Sequence, residues 1–250
     1  MNLENRTVVV TGGNSGIGLA IARGVAAEGA SVVLWSRTPS RNADAVAELR
    51  EHGYDADAVE CDVADEQSVR RAMALTLESH PVVDTMFANA GVSGAAPFID
   101  TSLDDWHAVL NVNLDGTFLC TREAARHMIG RGGGGSIVVV SSMISRYGGA
   151  GQIAYATSKT GLLGLSRTLA VELARHRIRV NTLVPGWTET PMTEPLYANR
   201  KFMENTTSRT PVRRWGVPTD FEKVGAFLAD PEQAFHTGNE IVVDGGYGVF

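Results

Sequence analysis

Short apolar runs alternate with segments of helical pattern along the first third of the chain. A β-branched run at residues 7–10 leads into a glycine-rich turn, and a helical stretch follows to residue 28. The same order repeats, which predicts strands at 31–35, 56–60 and 82–87 and helices at 43–51 and 66–79. Short apolar strands separated by helices are typical of a parallel sheet covered on both faces. The pattern therefore predicts a doubly wound α/β fold.

The second half of the chain continues this alternation with one interruption. It predicts a long helical region at 103–129, strands at 136–141, 178–184 and 240–243, and helices at 153–174 and 219–228. Prolines interrupt any long helix between residues 185 and 218, so we expect a loop with short helices over a site, with a substrate loop at about 188–217. No linker or internal repeat divides the chain, which favours a single domain over residues 1–250.

The amino-acid composition argues against several classes of function. The chain has 22 Lys and Arg against 28 Asp and Glu, a net charge of −6, which argues against binding to nucleic acid or to an anionic membrane surface. Its only cysteines, Cys61 and Cys120, form no C-x-x-C pair, which favours a reducing, cytoplasmic location. We expect neither a secretion signal nor a membrane span, since no basic leader and no apolar segment of about 18 residues is present.

The glycine-rich turn predicts a nucleotide site. Gly12, Gly16 and Gly18 lie between a strand and a helix, where they would let the backbone approach a phosphate at the helix N-terminus. A dinucleotide is the expected ligand, bound by a Rossmann-type fold, with Asn14, Ser15 and Ile17 in the same loop.

The residues at the end of the second predicted strand indicate whether NAD(H) or NADP(H) binds. An acidic residue there would bind an unphosphorylated ribose, but this chain has Ser36 and Arg37. A hydroxyl and a guanidinium would instead bind a 2′-phosphate, so we predict NADP(H), with Arg41 as a second contact. If Arg37 is only a solvated loop residue, NAD(H) remains the alternative.

Tyr155 and Lys159 are four residues apart on a predicted helix, so their side chains share one face. At ~4 Å and an effective dielectric of about 20, the ammonium would favour a phenolate by about 4 kcal/mol and so lower the tyrosine pKa. Tyr155 could then exchange a proton near neutral pH. The spacing alone is common, and two ordinary helix residues are the alternative interpretation.

Further motifs accompany this pair in a fixed order. They are Thr11-Gly12-x-x-x-Gly16-x-Gly18, Asn89-Ala90-Gly91, Ser142, Tyr155-x-x-x-Lys159, Pro185-Gly186 and Asp244-Gly245-Gly246. Together they closely resemble the short-chain dehydrogenase/reductase family in its compact one-domain form. The resemblance runs from about residue 7 to 246 and implies hydride transfer between NADP(H) and a carbonyl or secondary alcohol substrate.

The resemblance also implies roles for four residues. Tyr155 resembles the general acid/base, and Ser142 resembles the hydroxyl that orients the substrate oxygen. Lys159 looks like the residue that holds the nicotinamide ribose and lowers the tyrosine pKa, and Asn113 like the one that positions a relay water. Asn113 could also serve only at a helix kink. Ser141 is the neighbouring hydroxyl, but strand alternation would turn it away from Ser142.

Other matching positions are implied cofactor contacts. Asp62 and Val63 match the adenine side, and Asn89, Ala90 and Gly91 match the adenosine ribose side. Pro185, Gly186, Thr188 and Thr190 match the segment that anchors the nicotinamide. No metal is expected, because the 6 histidines show no metal-ligand spacing.

The sequence does not identify the substrate. Six residues could line its pocket: Arg146, Tyr147, Gln152, Trp187, Met192 and Tyr197. The run at 148–155 resembles both 3-oxoacyl-carrier-protein reductases and sugar or sugar-acid dehydrogenases. Four arginines could receive an acidic carrier protein: Arg126, Arg131, Arg175 and Arg177.

The resemblance also implies a homotetramer that pairs the helix carrying Gly161 and Gly164. A non-catalytic NADP(H) sensor or scaffold and a lyase or epimerase are the remaining alternatives. The sensor would have no need of the intact Ser142, Tyr155 and Lys159 set.

Overall fold

The computed structural model describes residues 1–250 and contains one sheet. Its strands are β1 Thr7–Thr11, β2 Ser31–Ser36, β3 Ala56–Glu60, β4 Thr85–Ala88, β5 Gly135–Val140, β6 Ile178–Pro185 and β7 Glu240–Val243. They are ordered β3-β2-β1-β4-β5-β6-β7, and all neighbours are parallel. This confirms the predicted doubly wound α/β fold with a central parallel sheet.

Nine α-helices connect and cover the strands. They are α1 Gly16–Ala26, α2 Pro39–Glu51, α3 Glu66–Ser79, α4 Leu103–Leu110, α5 Gly116–Arg131, α6 Ile153–Leu173, α7 Glu194–Tyr197, α8 Arg200–Arg209 and α9 Glu222–Ala229. None of these helices has both the length and the apolar character that crossing a membrane requires.

The central strands are buried on both faces. Successive side chains of β1 alternate, so that Val8 and Val10 enter one layer of the core and Val9 enters the other. Helices α1, α2 and α9 cover the first layer, while α3, α5 and α6 cover the second. Central strands therefore need apolar residues at every position, which is why they appear as continuous apolar runs in the sequence.

The predicted helix over 103–129 is interrupted. A turn of π-helix, Asn111–Asp115, separates α4 from α5. Within it the buried side chain of Asn113 accepts a hydrogen bond from Val92 N (2.8 Å) and donates one to Val92 O (2.9 Å). These bonds fix the wide turn against the segment after β4. The hydrophobic periodicity of the sequence alone cannot indicate this interruption of the helix.

Other boundaries differ from the prediction by a few residues. Strand β4 begins at Thr85 rather than at 82, because the Val83 amide donates to His127 and the Asp84 carboxylate accepts from Thr7 N. Helix α2 begins at Pro39, which suits the first helical turn. The region 185–218 contains α7 and α8, in agreement with the expected short helices.

Helix α1 packs closely on the N-terminus of α9. A Cβ at Gly24 would lie 2.1 Å from the carbonyl oxygen of Glu222, so no side chain fits between the two helices. In contrast, a Cβ at Gly130 in α5 would meet nothing within 4 Å.

We expect Gly24→Ala to destabilise the protein by about 1–3 kcal/mol, since α1 and α9 must separate. The control Gly130→Ala should stabilise it by about 0.5–1 kcal/mol through higher helix propensity. Chemical unfolding of the two variants and the wild type checks this pair, and equal effects would contradict the packing described for α1.

Candidate active site

The carboxyl ends of β1 and β4 lie side by side where the chain changes direction across the sheet. The Thr11 hydroxyl accepts hydrogen bonds from the backbone N–H groups of Asn89 and Ala90, each at 2.9 Å. The Asn89 side-chain amide donates in return to Thr11 O at 2.9 Å. Such a switch point in an open α/β sheet forms a crevice that binds ligands.

The glycine-rich turn lines one side of this crevice. Gly12 and Gly16 have φ values of +62° and +53°, which favour glycine, and a Cβ at Gly12 would lie 3.1 Å from Ala90 Cα. A Cβ at Gly18 would lie 2.3 Å from Gly12 O. The turn ends at the N-terminus of α1, where no side chain caps the first amides and no acidic residue lies in the first turn, so these amides are free to bind an anion.

A polar network fixes the tip of β2. Asn14 Nδ2 donates to Ser36 Oγ at 2.5 Å and to Asn42 Oδ1 at 3.0 Å, and the Ser36 hydroxyl donates to Asn42. Asn42 is buried and was not predicted from the sequence. Arg37 and Arg41, beside this network, are exposed and pair with no carboxylate or carbonyl.

Ser142, Tyr155 and Lys159 lie together at the end of β5 and the start of α6. Lys159 Nζ donates to Val140 O at 2.9 Å. The Ser141 hydroxyl donates to Lys159 O at 2.8 Å, whereas Ser142 Oγ accepts from Ile144 N at 3.3 Å. The two serine hydroxyls thus have different partners, as strand alternation predicted.

Asn113 lies behind this group and connects its parts. Its side chain binds the Val92 backbone and donates to Ser158 Oγ at 3.1 Å, and Ser158 in turn donates to Tyr155 O at 2.8 Å. A Cβ at Gly91 would lie 3.3 Å from Asn113 Oδ1 and 3.4 Å from Lys159 Nζ. The amide therefore links the segment after β4 to α6 beside Tyr155 and Lys159.

Burial moves the pKa values of Tyr155 and Lys159 in opposite directions. It raises the pKa of Tyr155, an effect that the Ser142 hydroxyl opposes in part, and it lowers the pKa of Lys159 from 10.5 to about 8. The net shift of the Tyr155 pKa is upward, and the expected lowering by Lys159 stays a prediction. Lys159 Nζ lies 5.8 Å from the centre of the tyrosine ring, and burial of the phenol is the largest influence on the Tyr155 pKa.

The segment after β6 closes the crevice from the other side. Thr193 Oγ1 donates to Thr188 O at 2.6 Å and accepts from Thr190 N at 3.0 Å, so it fixes the segment's shape. A Cβ at Gly16 would lie 3.3 Å from the Thr190 side chain. Sequence reasoning missed Thr193, which no motif distinguishes from its neighbours.

One cavity of about 750 Å³ joins all these parts. Most of the catalytic and cofactor-binding residues predicted from the sequence line this cavity: Gly12, Asn14, Ser15, Gly16, Ile17, Gly18, Ser36, Arg37, Val63, Asn89, Ala90, Gly91, Ser142, Tyr155, Lys159, Pro185, Gly186, Thr188 and Thr190. Two of the predicted site residues do not line it. Asp62 uses its carboxylate to accept from Ala64 N at 3.1 Å, and Asn113 is buried behind the wall.

The charge of the cavity is opposite to that of the whole protein. Four cations line it, Arg37, Arg41, Lys159 and Arg209, and no Asp or Glu does. The protein as a whole has a net charge of −6. An anionic ligand is therefore favoured at this cavity.

The expected substrate residues divide into two groups. Tyr147, Gln152, Trp187 and Met192 line the cavity. Arg146 instead pairs with Glu240 at 2.7 Å, and Tyr197 packs against the edge of Trp215. Phe202, Arg209 and Tyr247 also line the cavity and were not predicted. Phe202 and Arg209 lie outside every motif, and Tyr247 follows the Asp244-Gly245-Gly246 motif, which indicates no cavity contact for it.

The surface arginines considered for a carrier protein already have partners within the chain. Arg126 pairs with Glu123 at 2.6 Å, while Arg131 and Arg177 donate to the carbonyl groups of Gly134 and Gly132. Arg175 contacts His176. No group of three or more His, Cys, Asp or Glu side chains is arranged to hold a metal ion.

A family model described as enoyl-(acyl carrier protein) reductase matches residues 12–248. A 3-oxoacyl-[acyl-carrier-protein] reductase from Thermotoga maritima is 37% identical over 98% of this chain and 99% of its own. A solved short-chain type dehydrogenase/reductase from Mycobacterium marinum is 30% identical, with a TM-score of 0.94 over 98% of this chain and 96% of its own. This chain belongs to the short-chain dehydrogenase/reductase family.

Relatives with different substrates are about equally similar to this short-chain dehydrogenase/reductase. An L-rhamnose 1-dehydrogenase (NAD(P)(+)) from Sphingomonas sp. is 37% identical over 98% of this chain and 96% of its own. A gluconate 5-dehydrogenase from Burkholderia cenocepacia, solved with NADP and tartrate, is 34% identical, with a TM-score of 0.95 over 100% of this chain and 97% of its own. The protein is thus an NAD(P)-dependent oxidoreductase of carbonyl or alcohol substrates.

The buried Lys159 makes stability depend on pH. Because its folded pKa of about 8 is below the ordinary 10.5, the unfolded chain binds more protons between these values, and stability rises with pH across that window. Lys159→Met removes this dependence.

We expect the unfolding free energy of Lys159→Met, relative to wild type, to fall by about 3 kcal/mol as pH rises from 8 to 10.5. Chemical unfolding without added nucleotide measures it, with the exposed Lys223→Met as the control substitution. A constant difference across the window would contradict burial of the ammonium.

Proposed function

We propose that this protein transfers hydride between NADP(H) and a carbonyl or secondary alcohol, with Tyr155 as general acid/base. The observation that carries the proposal is one continuous cavity. It joins the glycine-rich turn, the unpaired Arg37 and Arg41, and the Ser142, Tyr155 and Lys159 group. A binding site for a phosphorylated dinucleotide and a proton donor thus open onto the same space.

The residues present fit NADP(H) in charge and shape. Gly12, Gly16 and Gly18 let the turn pack tightly, where an added Cβ would meet Ala90, Thr190 or the turn's own backbone, beside the free amides of α1. Arg37 and Arg41 offer guanidinium groups suited to a 2′-phosphate, and no carboxylate lines the cavity to repel it. Val63 borders the adenine side, and Pro185, Gly186, Thr188 and Thr190 border the nicotinamide side.

The chain's own groups handle the proton and the developing charge. When bound, the nicotinamide supplies or accepts the hydride. In reduction, the Ser142 hydroxyl donates to the substrate oxygen and Tyr155 gives it a proton, so both stabilise the negative charge as it forms. Lys159 keeps an ammonium beside the phenol, while Asn113 and Ser158 hold the backbone of Tyr155.

We consider two kinds of substrate, because one relative is a 3-oxoacyl-[acyl-carrier-protein] reductase and another, of equal identity, is an L-rhamnose 1-dehydrogenase. We propose the substrate loop at about 188–217 as the region that selects between them, since α7 and α8 border the cavity. A non-catalytic sensor is disfavoured because Ser142, Tyr155 and Lys159 are all kept.

The homotetramer stays a prediction. Gly161 packs on Leu114 of its own chain, where a Cβ would lie 3.3 Å from Leu114 Cδ1, whereas a Cβ at Gly164 would meet nothing within 4 Å. Val171 on the same helix is 83% exposed, which leaves part of α6 free to pair. The two cysteines are free and buried, which supports the cytoplasmic location we propose.

Tyr155→Phe tests the acid/base assignment. It removes the transferable proton with little change in shape, so we expect kcat to fall about 10²- to 10⁴-fold. The Kd for NADPH, measured by fluorescence titration, should change little. Tyr54→Phe, outside the cavity, is the matched control and should keep full activity. A Tyr155→Phe protein of normal rate would refute the assignment.

Arg37→Gln/Arg41→Gln tests the cofactor assignment. Loss of two charged hydrogen-bond donors should raise the Kd for NADPH about 10- to 100-fold. The Kd for NADH should change less than about 2-fold, because NADH lacks the 2′-phosphate. Arg50→Gln, which affects an exposed ion pair with Asp57, is the control. Equal weakening of both nucleotides would show that these arginines do not recognise the phosphate.

A further inference from the structure

Arg209 is a cavity residue that the proposed hydride transfer does not use. It lies at the end of α8 and lines the cavity, yet it pairs with no carboxylate and donates to no carbonyl. Most other arginines of the chain have such a partner, for example Arg146 with Glu240 and Arg214 with Asp220. The other cavity arginines without one are Arg37 and Arg41, for which a phosphate has been proposed.

Two tyrosines hold this guanidinium in place. Arg209 Cζ lies 4.4 Å from the ring centre of Tyr247 and 5.3 Å from that of Tyr147. Its Nη1 donates to Tyr247 Oη at 3.3 Å, and this is the one hydrogen bond that Arg209 makes. Aromatic faces attract the cation without neutralising it, so most of its five N–H groups stay free for a ligand.

The tyrosines connect Arg209 to the catalytic group. Tyr147 follows Ser142 along the same loop, and a Cβ at Gly248 would lie 2.7 Å from Met143 Cε and 3.0 Å from Tyr147 Oη. The tail that carries Tyr247 is itself fixed, since the Asp244 carboxylate accepts from Gly246 N and Gly248 N at 2.9 and 2.7 Å. Arg209 and Ser142 thus belong to one wall of the cavity.

We propose that Arg209 binds a carboxylate of the substrate, so that this enzyme acts on a small hydroxy or keto acid. The proposal rests on the hydride transfer proposed above and names its substrate class. A guanidinium binds a carboxylate through two parallel hydrogen bonds, which would fix the substrate's orientation. The cavity offers no competing Asp or Glu, and Gln152 adds a polar group for further hydroxyls.

Matched pairs of acid and neutral substrates test this directly. One pair is gluconate and glucitol, and another is 3-hydroxybutyrate and its methyl ester, each with NADP⁺. We expect the acid to have the higher kcat/KM, and Arg209→Gln to lower that value about 10- to 100-fold. The neutral partner should change less than about 2-fold. Arg209→Lys keeps the charge and should restore part of the preference.

Arg200→Gln is the matched control, because Arg200 lies on the same helix but pairs with Glu204 in solvent. It should leave both members of each pair unchanged. A preference for the neutral members, or an equal loss for acid and neutral, would overturn the proposal. The proposal would also be overturned if acetoacetyl coenzyme A were the only substrate whose rate depends on Arg209. Its phosphates would then be the ligand of Arg209.

A binding measurement separates this proposal from the proposed reaction. Calorimetric titration of gluconate and 3-hydroxybutyrate into the NADP⁺ complex of Tyr155→Phe needs no turnover. Binding that Arg209→Gln weakens supports the carboxylate site even if the wild type oxidises neither acid, a result that would count against the hydride-transfer function alone. Absence of binding, or binding that Arg209→Gln leaves unchanged, would overturn the carboxylate site.

Discussion

The crevice depends on how the ends of β1 and β4 are held together. Parallel strands separated by a change of chain direction leave a gap at their carboxyl ends. Thr11 and Asn89 join the two strands across that gap by hydrogen bonds from backbone amides to a hydroxyl and from a side-chain amide to a carbonyl. With these bonds in place, the glycine turn lies next to Ala90, and the segment after β4 reaches Asn113. Both the nucleotide site and the catalytic group therefore depend on this junction.

Positive side chains line the cavity without acidic partners, whereas most arginines elsewhere are paired with acidic side chains. Surface arginines are largely paired with acidic side chains, as Arg70 and Arg122 are with Glu66. Inside the cavity the same residue type has no acidic partner, so its positive charge is left for an anionic ligand. A ligand with negative groups near both ends, such as a phosphorylated dinucleotide together with an acid substrate, matches this arrangement.

Local signals made much of the molecule predictable. Glycine spacing and apolar runs depend on residues close in sequence, so the parallel doubly wound sheet and the nucleotide turn could be anticipated. The grouping of Ser142 with Tyr155 was implied by the family resemblance. Contacts between distant residues could not be anticipated. Asn42 and Arg209 meet their partners only after folding, and the π-turn around Asn113 arises from bonds to Val92. The sign of the Tyr155 pKa shift also depends on burial, which spacing does not reveal.

The opposite pKa shifts of Tyr155 and Lys159 favour one direction of proton transfer. At pH 7 a lysine with a pKa of about 8 is mostly protonated, and a tyrosine with a raised pKa is a neutral phenol. The pair then holds a proton beside a positive charge, which suits donation to an oxygen that becomes negative during reduction. Oxidation requires the phenol to lose its proton first, and burial opposes that step. Raising the pH removes this barrier for oxidation, but above pH 8 it also removes the positive charge of Lys159.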